Sequence, residues 1–318
     1  MRDERSYNTV SIIIPTKNEE KVLEECLRSI SSQSVCPLEV IVVDGGSTDD
    51  TLYIAKRFDV NIVKEEEPSS PANARNLGAE KAKGKILLMM DADTVLHNDC
   101  LRHALEIFED KNVIALLPSI VNQDHSYLEL IQRKWNEASR TSMTIGLKKA
   151  RTSGFVIFFR REVFGKVKFN TTYGFGEDDD FSTRLEREFK DRKILVAEDC
   201  KVISHSPHTI KELAARYMWW GRTFFAYAFR HFGLKSILNM GSLLLPVFVV
   251  FTLSIYLLFP QTLPLFISLL SLFIVKITVI CLRSRSAFFV QFTIFDLTRS
   301  FFFVAGLAQS LFAGRKGR

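Results

Sequence analysis

Over roughly the first third of the chain, short apolar runs alternate with stretches in which apolar residues return every three or four positions. Residues 10–14 form a β-branched run closed by Pro15, and 40–43 a second closed by Asp44. Residues 60–63, 86–90 and 113–117 are three more. Runs of this length, bounded by turn residues, predict strands. Between them, 19–31 places Val22, Leu23, Cys26, Leu27 and Ile30 at helical spacing. Residues 48–58, 71–82 and 98–108 read as further helices, the first with Ser47 as a cap. Repeated alternation of strand and helix predicts an α/β domain with a mostly parallel sheet and helices on both faces. Strands buried on both sides are almost continuously apolar, as "SIIIP", "EVIVVD" and "ILLMMD" are. Ligands of such sheets bind outside the carboxyl ends of the strands. Pro15 and Thr16, Asp44, and the pair Asp91 and Asp93 each follow a different strand, so they are expected to line one crevice.

Past residue 122 the pattern loosens. Residues 154–160 and 193–197 read as strands, 181–189 as a helix with Phe181, Leu185 and Phe189 on one face, and 212–231 as a long aromatic-rich helix. From Gly233 onward charges become sparse. Residues 237–259 and 263–282 each hold roughly the 20 apolar residues that span a bilayer, with Pro260 and Pro264 at the connection. A third apolar segment, 287–312, carries Asp296 and Arg299 at a spacing that lets them pair on a helix. Basic residues favour the cytoplasmic side. Two crossings leave Arg283 and Arg285 there with the first part of the chain. A third would export Arg315, Lys316 and Arg318, so the third segment is expected to lie in-plane or re-entrant. The expected division is a soluble domain over 1–232 and a membrane domain of two or three hydrophobic helices over 233–318.

Composition changes this picture little. The 318 residues are 47% hydrophobic and 25% charged, ordinary for a globular protein. The net charge of +6 suits nucleic acid or an anionic membrane face with anionic substrates. The apolar last third favours the membrane, and the absence of an RNA-recognition motif, zinc-finger spacing or long basic run argues against nucleic acid. Five dispersed cysteines (Cys26, Cys36, Cys100, Cys200 and Cys281), without a CxxC, suggest reduced thiols. The N-terminus "MRDERSYNTV" lacks the apolar core of a secretory signal. The expected location is the cell membrane, multi-pass, with the soluble domain in the cytoplasm.

Four stretches carry candidate chemistry. In "DAD", Asp91 and Asp93 at a strand end offer hard oxygen ligands for Mg²⁺ or Mn²⁺, the kind of ion usually shared with substrate phosphates; the plainer alternative is a helix cap. In "VDGGSTDDT", the glycines allow a tight turn and Asp44 is placed to accept hydrogen bonds from a nucleobase or ribose. In "GFGEDDDFSTRLERE", four acids from Glu177 to Asp180 open a helix. Fewer would satisfy the helix dipole, and their mutual repulsion can tune one as a general base. Asp180 and Arg184 have the spacing of a simple surface pair. In "RYMWWGR", Trp219, Trp220 and Arg222 form either an interfacial aromatic belt or a platform for a sugar or lipid acceptor. His205 and His208 are further candidate metal ligands, or ordinary surface or core histidines.

Taken in order, "SIIIPTKNEE", "VIVVDGGSTDDT", "ANARNLGAEKAKGKILLMMDADT" and "GEDDDFSTRL", followed by hydrophobic helices, resemble glycosyltransferase family 2, inverting enzymes of the GT-A fold. The resemblance covers about residues 8–232. It implies a UDP- or GDP-sugar donor and a Mn²⁺ or Mg²⁺ cofactor. On the family pattern Pro15, Thr16, Glu19 and Asp44 would hold the nucleoside, and Arg75 would lie near the donor. Asp91 and Asp93 would engage ribose and metal, and Asp178 would deprotonate the acceptor hydroxyl. Two departures bear on the acceptor. Polyprenyl-phosphate glycosyl synthases typically continue the acidic motif with Leu-Gln, where this chain reads "DADTVL", and their ionised phosphate acceptor needs no base. The Glu177-Asp178 step therefore favours a hydroxyl on a lipid-linked or membrane-proximal glycan, with the polyprenyl-phosphate synthase as the alternative. Processive synthases carry Gln-x-x-Arg-Trp, which the stretch 216–220 lacks, so a single transfer is expected.

Overall fold

A computed structural model describes residues 9–66, 69–121, 126–140, 156–172, 176–204, 207, 209–230, 234–284 and 289–313. The chain divides into two compact units. The first comprises Met1–Gln123, Ile145–Thr171 and Gly176–His205, and the second Asp124–Thr144, Thr172–Phe175 and Ser206–Arg318.

The first unit is built on one eight-stranded sheet. Its strands are β1 (Val10–Thr16), β2 (Glu39–Asp44), β3 (Asn61–Lys64), β4 (Ile86–Met90), β5 (Thr94–Leu96), β6 (Val113–Val121), β7 (Val156–Arg160) and β8 (Lys193–Ser204). They lie in the order β3-β2-β1-β4-β7-β6-β8-β5. The first four are parallel to one another, and β6 is parallel to β8. Antiparallel pairings join β4 to β7, β7 to β6, and β5 to β8. The helices of this unit are α1 (Leu23–Ser31), α2 (Thr51–Ala55), α3 (Pro71–Lys81), α4 (Cys100–Ile107), α6 (Arg161–Lys166) and α7 (Glu177–Glu188).

The apolar runs become strands because both faces of the sheet are covered. Side chains alternate across a strand. Ile12 and Ile14, Val40 and Val42, and Leu88 and Met90 join one core. Ile13, Ile41, Val43, Leu87 and Met89 join the other. Helix α3 lies tight on β1, since a Cβ at Gly78 would strike the Ile13 side chain.

Several elements differ from the sequence reading. The helix expected over 48–58 is reduced to α2, because residues 47–50 are held as a loop by side chains of the neighbouring loop. The strand expected over 193–197 continues to Ser204, where it pairs with β5, a three-residue strand too short to leave a periodic signal. The helix α5 (Tyr127–Arg140) has no counterpart in the sequence reading.

The second unit is helical among its described residues. It contains α5 (Tyr127–Arg140), α8 (Ile210–Arg230), α9 (Leu234–Leu258), α10 (Leu263–Ser284) and α11 (Phe289–Ala313), with a single 3₁₀ turn at Pro260–Thr262. Ser126 and Glu129 cap α5 reciprocally, the Glu129 amide donating to Ser126 Oγ (3.2 Å) and the Ser126 amide to Glu129 Oε2 (2.9 Å). Ile131, Trp135, Leu213, Tyr217, Ile277 and Phe292 are part of its core. Asp296, fully buried, pairs with Lys276 of α10 and with Arg299, each at 2.5 Å. Helices α8 and α11 meet backbone to backbone, where a Cβ at Gly306 would overlap the Met218 main chain. Among the described residues, Pro260–Leu282 is the one helical stretch long and apolar enough to cross a membrane (mean hydropathy 2.6). Leu244–Leu258 is a shorter apolar stretch.

Candidate active site

The parallel register aligns the carboxyl ends of three strands. Thr16 is level with Asp44, and Ile13 is level with Met89, so the chain running on to Asp91 leaves the sheet at the same edge. The loops after β1 and β2 are stitched together there. Asn18, in left-handed conformation (φ 59°), donates its amide to Ser47 Oγ (3.0 Å) and accepts the Thr48 amide on Oδ1 (2.8 Å). The Glu19 amide donates to Thr51 Oγ1 (2.7 Å) and the Glu20 amide to Asp49 Oδ2 (3.2 Å). Polar residues here replace a packed core as the means of fixing a loop.

Asp44 is buried, and its carboxylate accepts the amides of Gly46 (3.2 Å) and Ser47 (3.1 Å). It shapes its own loop, and its remaining acceptor capacity is what a ligand would meet. Thr16 is also buried, its hydroxyl donating to the Val43 carbonyl (3.3 Å). Pro15 is paired with Val43 in the sheet.

The most consequential contact joins residues 102 apart in sequence. Arg75, on α3, donates from Nη1 to Glu177 Oε1 (2.8 Å) and from Nη2 to Asp91 Oδ1 (2.7 Å). Its side chain is 3% exposed. It brings the end of β4 and the first turn of α7 to the two tips of one guanidinium. Burial pulls the Arg75 pKa down, but Asp91 and Glu177 outweigh it and hold the group above its ordinary value. Burial pushes Glu177 up; Arg75 opposes this, Asp178 adds to it, and the result is about 7. Asp178, next to Glu177, is half-buried and accepts the Asp179 amide on Oδ1 (2.8 Å). Asp180 is buried and accepts from Arg184 Nη2 (2.6 Å), the pair expected from spacing.

Asp91, Arg75 and Glu177 therefore meet in the first unit, with Asp93 two residues beyond Asp91 and Asp178 next to Glu177. Asp44, Thr16 and Pro15 occupy the same edge of its sheet, and Glu19 the loop beyond β1. Trp219, Trp220 and Arg222 belong to α8 in the second unit. Trp219 is 39% exposed. Trp220 packs edge-on to Tyr217 (4.9 Å), and Arg222 Nε donates to Gln309 Oε1 (2.7 Å). His205 and His208 lie outside the described residues. Sequence reading missed the Arg75–Glu177 pair and the stitching by Asn18, Ser47 and Asp49. Arg75 sits in the quoted "ANARN" stretch, but no spacing rule connects it to residue 177.

Among the described residues no group of three His, Cys, Asp or Glu side chains could close around a metal. Asp91 and Asp93 supply two carboxylates, which suits an ion that completes its shell with water and substrate phosphates. The residues fit a shared Mg²⁺ or Mn²⁺ better than a closed protein cage.

A mixed α/β sheet with acidic residues gathered beyond its strand ends agrees with the GT-A fold expected from the sequence. Residues 11–168 match the model of the family described as "Glycosyl transferase family 2". A "PGL/p-HBAD biosynthesis glycosyltransferase" of Mycobacterium tuberculosis is 34% identical over 183 residues, 55% of this chain and 68% of that protein. Glycosyltransferase AglE of Haloferax volcanii is 35% identical over 111 residues, 33% of this chain and 36% of that one. The chain belongs to glycosyl transferase family 2 and is a glycosyltransferase. Two solved structures share the fold. Staphylococcus aureus TarS 1–349 in complex with UDP has a TM-score of 0.51 at 21% identity, over 67% of this chain and 64% of that one. The mannosyltransferase PcManGT of Pyrobaculum calidifontis, in complex with GDP-Man and Mn²⁺, has a TM-score of 0.56 at 22% identity, over 97% and 88%.

Proposed function

We propose that the protein is an inverting glycosyltransferase that moves one sugar from a UDP- or GDP-sugar to a hydroxyl of a lipid-linked or membrane-proximal glycan. In this reading the transferase domain lies within residues 1–232, of which α5 and α8 pack in the second unit, and 233–318 hold it at the cytoplasmic face of the cell membrane, with Pro260–Leu282 the one described stretch long and apolar enough to cross. The observation that carries the proposal is the Asp91–Arg75–Glu177 chain of contacts, which puts the carboxylates after β4 and the acid-rich start of α7 at opposite tips of one side chain. The TarS and PcManGT complexes named above, with UDP and with GDP-Man and Mn²⁺, support the choice of donor.

Each residue then has a chemical task. Pro15, Thr16, Glu19 and Asp44 line the nucleoside end. Asp91 and Asp93 hold a Mn²⁺ or Mg²⁺ ion, with Arg75 beside them on the donor side. When bound, the ion supplies Lewis-acid neutralisation of the charge that develops on the leaving nucleoside diphosphate. Asp178 accepts the proton of the acceptor hydroxyl as its oxygen attacks the anomeric carbon from the face opposite the leaving group, which inverts the configuration. Glu177 stands on the acceptor side as the neighbour of Asp178. An anchored acceptor and an anchored enzyme meet at high effective concentration.

The test uses the full chain in detergent with UDP- and GDP-sugars, Mn²⁺ and both acceptor types. Thermal shift identifies the donor, since a ligand bound only by the folded state raises the melting temperature. Asp178→Asn should lower transfer to a hydroxyl acceptor by roughly 10²–10⁴-fold, the usual worth of a general base. Efficient transfer to a polyprenyl phosphate, indifferent to Asp178→Asn, would replace the hydroxyl reading with the polyprenyl-phosphate synthase.

A further inference from the structure

Helix α7 opens with four carboxylates, yet its N-cap, Gly176, offers no side-chain cap. Two arginines restrain that turn. Arg184 takes Asp180 from within the helix, and Arg75 takes Glu177 from α3. The Arg75 contact differs in kind, because the same guanidinium also binds Asp91. A planar fork with a carboxylate on each tip fixes the two carboxylates relative to each other, whereas a lysine would offer one rotating point charge.

The grip on α7 is double. Arg75 lies over the Phe169 ring (5.5 Å), and Phe169 stacks on Phe181 of α7 at 4.1 Å with planes 9° apart. Asn76 holds Phe169 in place, its Nδ2 donating to the Phe169 carbonyl (2.8 Å) and its Oδ1 accepting the Phe169 amide (2.9 Å). Adjacent residues of α3 thus reach α7 at residue 177 by charge and at residue 181 through an aromatic stack. Asp178 follows Glu177 directly.

We propose that Arg75 and Glu177 are a positioning couple. Arg75 fixes the opening turn of α7, and with it the Asp178 carboxylate, relative to the carboxylates that follow β4. In this assignment Glu177 acts through Asp178 and touches neither sugar. The catalytic half of the statement rests on the reading of Asp178 as the base. The geometric half does not.

Steady-state kinetics of Glu177→Gln, Arg75→Lys, Asp178→Asn and the double variant Glu177→Gln/Asp178→Asn test the catalytic half. Both conservative variants should lower kcat by up to about 100-fold, the scale of a small misplacement of a reacting group, with donor KM within about threefold in Glu177→Gln, which leaves the contact of Arg75 with Asp91 in place. Adding Glu177→Gln to Asp178→Asn should cost almost nothing further, since residues that act as a unit are not additive. Independent, additive losses, or a loss in Glu177→Gln carried by donor KM, would overturn the couple. Hydrogen exchange tests the geometric half without turnover. In Arg75→Lys and Glu177→Gln, residues 176–182 should exchange faster while the strands stay protected. Unchanged exchange at 176–182 would overturn the couple even in a protein that transfers no sugar. Faster exchange there in a chain with no transferase activity would leave the couple standing and remove the proposed reaction.

Discussion

In the proposed function, single residues at the end of β4 and the start of α7 carry most of the chemistry, and two of them make separable predictions. Asp93→Ala removes a hard oxygen donor that, in the proposed function, binds metal. The expected outcome is loss of Mn²⁺-dependent UDP- or GDP-sugar affinity by calorimetry with the melting temperature little changed, and an unaltered affinity would reject the role. Glu177 makes a prediction about pH. Its folded-state pKa of about 7 exceeds the ordinary 4.5. Between those two values the folded chain keeps a proton that the unfolded chain has released, so stability falls as pH rises through that window. Below pH 4.5 both states are protonated and above about 7 both are ionised, so the slope vanishes on either side. Gln cannot titrate. Relative to Glu177→Gln, the parent should lose on the order of 1–3 kcal/mol between pH 4.5 and 7, read from denaturant midpoints.

At the scale of elements, the strands of the first unit were the most legible. β1, β2 and β4 are apolar on both faces, and each gives way at its carboxyl end to a polar residue, namely Thr16 after Pro15, Asp44 and Asp91. Their positions relative to the ligand edge followed from strand direction alone. The antiparallel insertion of β7 between β4 and β6 was not legible, because a five-residue apolar run reads the same in either direction. Helix α5 had a readable start in "SYLE", a capping box, with Leu128, Ile131 and Trp135 at helical spacing. What these local signals leave unread is the partner, since Trp135 meets Phe292 and Phe295 far downstream. The Arg75–Glu177 contact was illegible for a different reason. Periodicity identifies which face of an element is buried, not which charge on one face meets which on another. One helix pair is testable directly. Gly306→Leu inserts a side chain where α11 touches the Met218 backbone of α8. Backbone cannot be displaced like a flexible side chain, so a cost at or above the usual 1–3 kcal/mol of overpacking is expected, read as a lowered melting temperature in detergent.

The whole molecule combines a sheet domain with a set of helices that show much of their apolar surface. Phe248, Phe251, Leu257 and Leu258 of α9, Leu265, Leu272 and Val275 of α10, and Ile294 and Phe301 of α11 are exposed. Exposed apolar area of this kind marks an interaction surface. In the proposed function it faces lipid. The full chain should float with phosphatidylcholine vesicles and stay bound at high ionic strength, because apolar insertion is not screened by salt. Release by salt would reduce the membrane contact to attraction between the net charge of +6 and anionic headgroups.

The course of the polypeptide has a practical consequence. Helix α5 is encoded between two strands of the sheet, yet its Ile131 and Trp135 are covered by residues from the last hundred positions. A stop codon placed after residue 205 would yield a fragment that retains every strand but strips this helix of its cover. Anyone wishing to crystallise the sheet portion alone must therefore redesign 127–140 as well as discard the tail.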